Sequence, residues 1–194
     1  MSHLILIRHS ESDARRDLPS HQWELTTAGH QRAADLASKL GRYAPFAIAS
    51  SPEPKAWQTA EAIADRHRLK AITDPDLREH DRRTVKWTGS SEEYEAAISR
   101  FFGQRDQLVL GEETGRQALD RFSTAIQNLV AKHYDQNLVV VTHGSVITLF
   151  AQEYAGVDPV LFWKSLTQPW YCVFSVPELQ LQKVVPYQDQ GRKS

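Results

Sequence analysis

Two histidines stand where a strand-like apolar run gives way to loop residues. Leu4-Ile5-Leu6-Ile7 leads into Arg8-His9-Ser10-Glu11-Ser12, and Leu138-Val139-Val140-Val141 leads into Thr142-His143-Gly144-Ser145. A neutral imidazole is a competent nucleophile toward phosphorus, and a guanidinium offers fixed, planar donors to phosphoryl oxygens. Standing alone, the Arg8-His9 dipeptide says little, since an arginine can be a surface residue and a histidine can merely end a strand. His143-Gly144 carries more weight. The glycine lets the chain turn sharply into a helix, whose free N–H groups and positive dipole end suit an anion. Lys55 falls in the first turn of another expected helix, where a cation is unfavourable unless an anion lies close by; an ordinary solvated lysine is the alternative. Glu79, in Leu77-Arg78-Glu79, could protonate a departing ester oxygen, although only its company singles it out. Together these groups suggest a site that attacks and holds a phosphate.

The elements that must position them follow from patterning. The two apolar runs read as buried strands, and chemistry in open α/β sheets collects beyond the carboxyl ends of strands. Thr26 or Thr27 caps a helix to about Leu40, with Ala33, Leu36, Ala37 and Leu40 on one face and Gly41 placed for a left-handed stop. Phe46-Ala47-Ile48-Ala49 reads as a second buried strand, followed by a helix from Pro54 to about His67. A short strand is expected near Ala71-Ile72-Thr73, with helices over about Glu92–Phe102, Arg116–Tyr134 and Ser145–Tyr154. Tyr171–Val176 and Leu179–Val185 read as two closing strands joined at Pro177-Glu178. Trp163, Trp170 and Tyr171 read as packing residues. This alternation predicts an α/β three-layer sandwich: a mostly parallel central sheet, helices on both faces and an antiparallel edge.

Composition narrows the partners. At 194 residues the chain suits one compact domain, taken as residues 1–187 with a polar tail over 188–194. The net charge of −1 supplies no global field for nucleic acid or an anionic membrane, so neither is an expected partner. Cys172 is the only cysteine, which excludes an internal disulfide and multi-cysteine zinc frameworks. No apolar stretch is long enough to span a bilayer, and the default location is cytoplasmic. Nothing in the chain predicts an oligomeric state.

The chain resembles the histidine phosphatase superfamily, the group that includes cofactor-dependent phosphoglycerate mutases and many small phosphatases. The resemblance runs from Leu4 to about Val146. Arg8-His9-Ser10-Glu11-Ser12 resembles the family's Arg-His-Gly-Glu-Ser, and Leu25-Thr26-Thr27-Ala28-Gly29 its Leu-Thr-x-x-Gly. Ser50-Ser51-Pro52 through Thr59-Ala60-Glu61 resembles Ser-Ser-Pro-x-x-Arg-Ala-x-x-Thr-Ala, Leu77-Arg78-Glu79 fits Leu-x-Glu, and Val141 to Val146 fits Val-Ser-His-Gly-Gly. The resemblance implies that His9 becomes a phosphohistidine, that Arg8 and His143 bind the transferring phosphoryl oxygens, and that Glu79 is general acid and then base. It implies a metal-independent phosphatase of the histidine acid type, with no cofactor and no metal, acting on a small phosphomonoester or a phosphoprotein. A phosphoglycerate-type mutase is the alternative, although the chain is short of the segments mutases use to shield the phosphoenzyme. A weakly active or non-catalytic phosphate-binding homologue is another.

Three departures from the family pattern bear on that choice. Ser10 replaces a glycine and narrows the space expected beside the phosphate. Lys55 replaces an arginine, keeping the charge but losing the bidentate fork. Arg15 stands where mutase-like members often carry asparagine, and it (or Arg16) is expected to reach the phosphate and compensate for Lys55. The phosphate-binding set is therefore Arg8, Ser10, Arg15, Lys55, His143 and Gly144. The segment from His80 to Gln104 is expected to cover the pocket, with Arg82, Arg83 and Lys86 favouring a further acidic group and Trp87 offering an apolar wall; a solvated charged loop is the alternative.

Overall fold

The computed structural model describes residues 2–15, 17–44, 46–85 and 90–187. Arg16, Lys86, Trp87 and the 188–194 tail lie outside the described residues. The strands are β1 (Ser2–Arg8), β2 (Phe46–Ser50), β3 (Ala71–Thr73), β4 (Asn137–Thr142), β5 (Trp170–Val176) and β6 (Leu181–Pro186). The helices are α1 (Thr27–Leu40), α2 (Pro54–His67), α3 (Ser91–Gly103), α4 (Gly115–Lys132), α5 (Gly144–Ala155) and α6 (Pro159–Ser165). The strands form one sheet in the order β3-β2-β4-β1-β5-β6. The first four run parallel, and β5 and β6 add the antiparallel edge.

Strand alternation divides the core between the two faces of the sheet. Leu4, Leu6, Leu138 and Val140 face Phe122 and Ile126 of α4, Ile147 and Phe150 of α5, and Phe162 of α6. Ile5, Ile7, Val139 and Val141 face Leu36 and Leu40 of α1 and Ala60 and Ile63 of α2. Each side chain of this size, fully buried, contributes about 1.5–3 kcal/mol. A further cluster of Ile98, Phe101, Phe102, Leu110, Leu119 and Leu149 seats α3 and the following loop on α4 and α5. The expected three layers are therefore present.

Local chemistry accounts for the element starts. Thr26 caps α1 by accepting from Gly29 N, Thr114 and Gln117 form a capping box on α4, and Asp158 caps α6 by accepting from Leu161 N. Two expectations need correction. Gly41 is not a left-handed stop: its φ is −53°, and the chain tightens into a 3-10 turn over Gly41–Tyr43. The helix carrying Trp163 is absent from the sequence reading.

Candidate active site

The register of β1 against β4 builds the centre of the site. Arg8 lies opposite Thr142, so His9 and His143 leave the sheet side by side, and His9 N donates to Thr142 O at 3.0 Å. Their rings meet edge to face with centroids 5.2 Å apart. On the far side of β4, Ser51 N donates to Val141 O, which brings the end of β2 to the same edge. Both histidines are almost fully buried, 6% and 1% exposed.

His9 Nδ1 lies 2.8 Å from Ser10 O. A carbonyl only accepts, so Nδ1 carries the proton and Nε2 keeps its lone pair. Burial, and then the neighbouring His143, Lys55 and Arg8, push the pKa of His9 well below its ordinary value. The ring is thus neutral at neutral pH, with Nε2 as its free base. Burial likewise lowers His143 to about 4, with Glu53 opposing. His143 Nε2 meets Ser51 Oγ at 2.8 Å, while its Nδ1 has no hydrogen-bond partner among the described residues. Arg8 is similar: one end of the guanidinium donates to Leu166 O, and buried Nε has no partner there. A Cβ on Gly144 would stand 3.5 Å from that Nε. Gly144 is therefore not required for the approach of Arg8, since 3.5 Å is ordinary van der Waals contact. It is not needed for a special backbone turn, because its φ is not positive.

Glu79 closes the site from the loop after β3. Its Oε2 accepts from Ser145 N at the start of α5 (3.3 Å), and its Oε1 from His80 N (3.0 Å). Burial pushes its carboxyl up, but the hydrogen bond from His80 and the His143, His80 and Arg82 groups bring it well below the ordinary carboxylate range. Several partners hold this loop. Thr142 Oγ1 donates to Leu77 O at 2.6 Å. From α4, Arg121 donates to the carbonyls of Asp76, Arg78 and Glu79 and to Glu113, whose Oε1 in turn accepts from Asp81 N.

Lys55 reaches the site in an unexpected state. It is 5% exposed, and its Nζ donates to Ser20 O (2.5 Å) and to Glu53 Oε2 (2.6 Å). Glu53 Oε1 accepts from Glu79 N (3.1 Å) and lies 3.5 Å from His143 Nε2. Burial pushes the Glu53 carboxyl up, and His143 and Lys55 pull it back below its ordinary value. Two of the three ammonium donors are thus taken by partners among the described residues.

Two of the expected phosphate ligands turn their side chains to other partners. Arg15 is more than half exposed and pairs with Asp17 at 2.6 Å, because an exposed guanidinium takes the carboxylate two residues away. Ser10 does not crowd the phosphate as expected. Its hydroxyl donates to Gly29 O on α1 (2.7 Å), and its N–H is taken by Thr59 Oγ1. Gly29 itself admits Glu11, whose carbonyl oxygen would lie 2.0 Å from a Cβ there. The sequence reading missed Glu53, Glu113 and Arg121. Glu53 is visible only as an acid two residues before Lys55, and nothing local marks Glu113 or Arg121.

A cleft of about 180 Å³ opens over Glu53, Glu79, His80 and Arg82. Comparison with known proteins accords with this geometry. The chain is 32% identical over 154 residues to Phosphoglycerate mutase-like protein 4 of Arabidopsis thaliana, covering 74% of this chain and 67% of the relative. It is 29% identical over 157 residues to the Metal-independent phosphoserine phosphatase of the same plant, covering 76% and 66%. The chain thus spans about two thirds of the length of each. The fold matches that of a mycobacterial glucosyl-3-phosphoglycerate phosphatase with a TM-score of 0.73 at 20% identity, over 97% of this chain and 100% of the other. The family model for the histidine phosphatase superfamily (branch 1) matches residues 4–180, and the chain belongs to that superfamily.

Proposed function

We propose that this protein is a phosphatase that hydrolyses a small phosphomonoester through a phosphohistidine on His9. The observation that carries the reading is the state of His9: buried, neutral, and with Nδ1–H tied to Ser10 O so that Nε2 is the free base. In the first half-reaction Nε2 attacks phosphorus and the P–O ester bond breaks. The electron pair goes to the leaving oxygen, which takes a proton through Glu79. Arg8 Nε, His143 Nδ1 and the third Lys55 donor surround the phosphoryl oxygens, stabilising charge spread over them. In the second half-reaction the Glu79 carboxylate takes a proton from water, which attacks the phosphohistidine and releases phosphate and free His9.

The depressed pKa of Glu79 suits the second half directly, since the carboxylate is already ionised. In the first half the proton can enter on a monoanionic ester and pass through Glu79 to the leaving oxygen, which is the same overall stoichiometry. The cleft lined by Glu53, Glu79 and Arg82 offers room beside the Glu79 carboxyl for the leaving group of a phosphomonoester. The names of two relatives, a phosphoserine phosphatase and a glucosyl-3-phosphoglycerate phosphatase, point the same way. The test is phosphate release from phosphoserine and an aryl phosphate, with and without a metal chelator, beside isomerisation of 3-phosphoglycerate. The phosphatase reading expects chelator-insensitive phosphate release that is lost in His9→Ala. Isomerisation outpacing phosphate release would favour the mutase-like relative, and binding without turnover would favour a phosphate-binding homologue.

A further inference from the structure

The family's second phosphate-site arginine is a lysine in this chain, and that lysine is held in an ion pair. Lys55 Nζ meets both Glu53 and Ser20 O, and an ammonium has no planar fork to offer. Arg15 is turned to Asp17. Three other arginines line the cleft; Arg78 pairs with Asp76 and the exposed Arg83 with Asp81. Arg82 is half-buried and lines the same cavity as Glu53 and Glu79. It donates to the Tyr94 hydroxyl, and its Cζ lies 5.6 Å from the centre of the Tyr94 ring. Its charge acts on Arg8, Lys55, Glu53, Glu79 and His143, the groups gathered around His9.

The backbone that carries Arg82 is built in. Glu112 N donates to Asp81 O at 2.7 Å, and Glu113 accepts from Asp81 N. Gly111, at φ +87°, allows this approach: a Cβ there would lie 2.1 Å from Asp81 O and 2.8 Å from Arg82 Cα. Holding the arm from both ends leaves less conformational freedom to lose on binding an anion.

We propose that Arg82, steadied by Tyr94, is the second guanidinium of the phosphate site and donates to a non-bridging oxygen of the phosphoryl group in transfer. The phosphate fork then comes from the loop after Glu79, while the helix position it replaces serves the Glu53–Lys55 pair. This inference rests on the phosphatase reading and deepens it. It also assigns Arg82 to the reacting phosphoryl group, where the sequence had suggested a substrate acid beyond it.

The probe is inorganic phosphate, which has no second acidic group, together with turnover of phenyl phosphate. Arg82→Met is expected to weaken phosphate binding about 10–100-fold, the scale for losing hydrogen bonds to a charged group. It is expected to lower kcat/KM on phenyl phosphate at least as much. Arg82→Lys keeps the charge without the fork and should retain only part of the affinity; it also carries the test if the methionine variant does not fold. Arg42→Met, an exposed change away from the site, should leave both quantities unchanged. Phosphate affinity within twofold of wild type in Arg82→Met would overturn the proposal, and the same result with losses confined to acid-bearing substrates would return Arg82 to the role of substrate reader. A wild-type protein that binds no phosphate and turns over no ester would overturn the phosphatase reading itself.

Discussion

Lys55→Met tests the ion pair at the heart of the site. In the folded protein Lys55 and Glu53 meet at 2.6 Å with side chains only 6% and 11% exposed. Removing the lysine leaves Glu53 buried without its ammonium partner, beside a His143 ring that is neutral at neutral pH, and breaking such a buried pair costs about 3–5 kcal/mol. For a domain of this length that corresponds to a fall in Tm of about 6–20 °C. Replacing both partners, as in Glu53→Leu with Lys55→Met, leaves no buried charge and should recover most of the loss. The pH dependence has a defined sign. In the wild type Glu53 sits below its ordinary value of 4.5, so its contribution to stability is present above that pH and is lost as pH falls through the folded pKa. In Lys55→Met burial acts with less opposition and raises the carboxyl, so the penalty is present at neutral pH and is relieved as Glu53 takes up a proton. The gap between variant and wild type should therefore narrow on acidification. Thermal melts across a pH series supply the assay. A loss under about 1 kcal/mol, the range of an exposed pair, would refute the reasoning. A double variant no more stable than Lys55→Met alone would do the same.

Other consequences follow from the same geometry. Glu79→Gln should lower kcat on alkyl phosphates by about 10²–10⁴-fold and slow phosphorylation by a dinitrophenyl ester far less, because that leaving group needs no proton; an equal loss on both would remove Glu79 from proton transfer. Arg121→Met should show a weaker version of the same leaving-group dependence, since Arg121 holds the carbonyls of Asp76, Arg78 and Glu79 in place. A uniform loss across leaving groups would instead mark a purely structural role. With Glu79 ionised at rest, kcat/KM for alkyl esters should fall as pH rises past the second phosphate pKa of about 6; a flat profile between pH 5 and 8 would contradict proton entry on the ester.

Much of the sheet was legible because its signals are local. The apolar runs 4–7 and 138–141 are buried strands, and Pro54 and His67 bound α2 as patterning predicts. α6 was missed even though Asp158-Pro159 supplies an N-cap and a first-turn proline, since only Phe162 in that helix is buried and no apolar period stands out. Trp163, read as packing, lies 6.1 Å from Tyr94, ring to ring. Gly41 misled because a glycine after the last periodic residue permits a left-handed stop without requiring one. At the site, strand ends placed Arg8, His9 and His143 well, because β1 and β4 are neighbours in register. Arg15 was misplaced because closeness along a loop says nothing about where a long side chain finds its charge. Glu53, Glu113 and Arg121 were invisible for the opposite reason: their roles depend on contacts from distant elements.

The central claim is a covalent one. It is tested most directly by mixing the protein with a radiophosphate-labelled ester, quenching within the first turnovers in alkaline denaturant, and measuring label on the chain. The account predicts up to one phosphoryl group per chain, stable in alkali and lost in acid, formed at least as fast as turnover and absent from His9→Ala. Steady phosphate release with no labelled protein, or label that persists in His9→Ala, would contradict it.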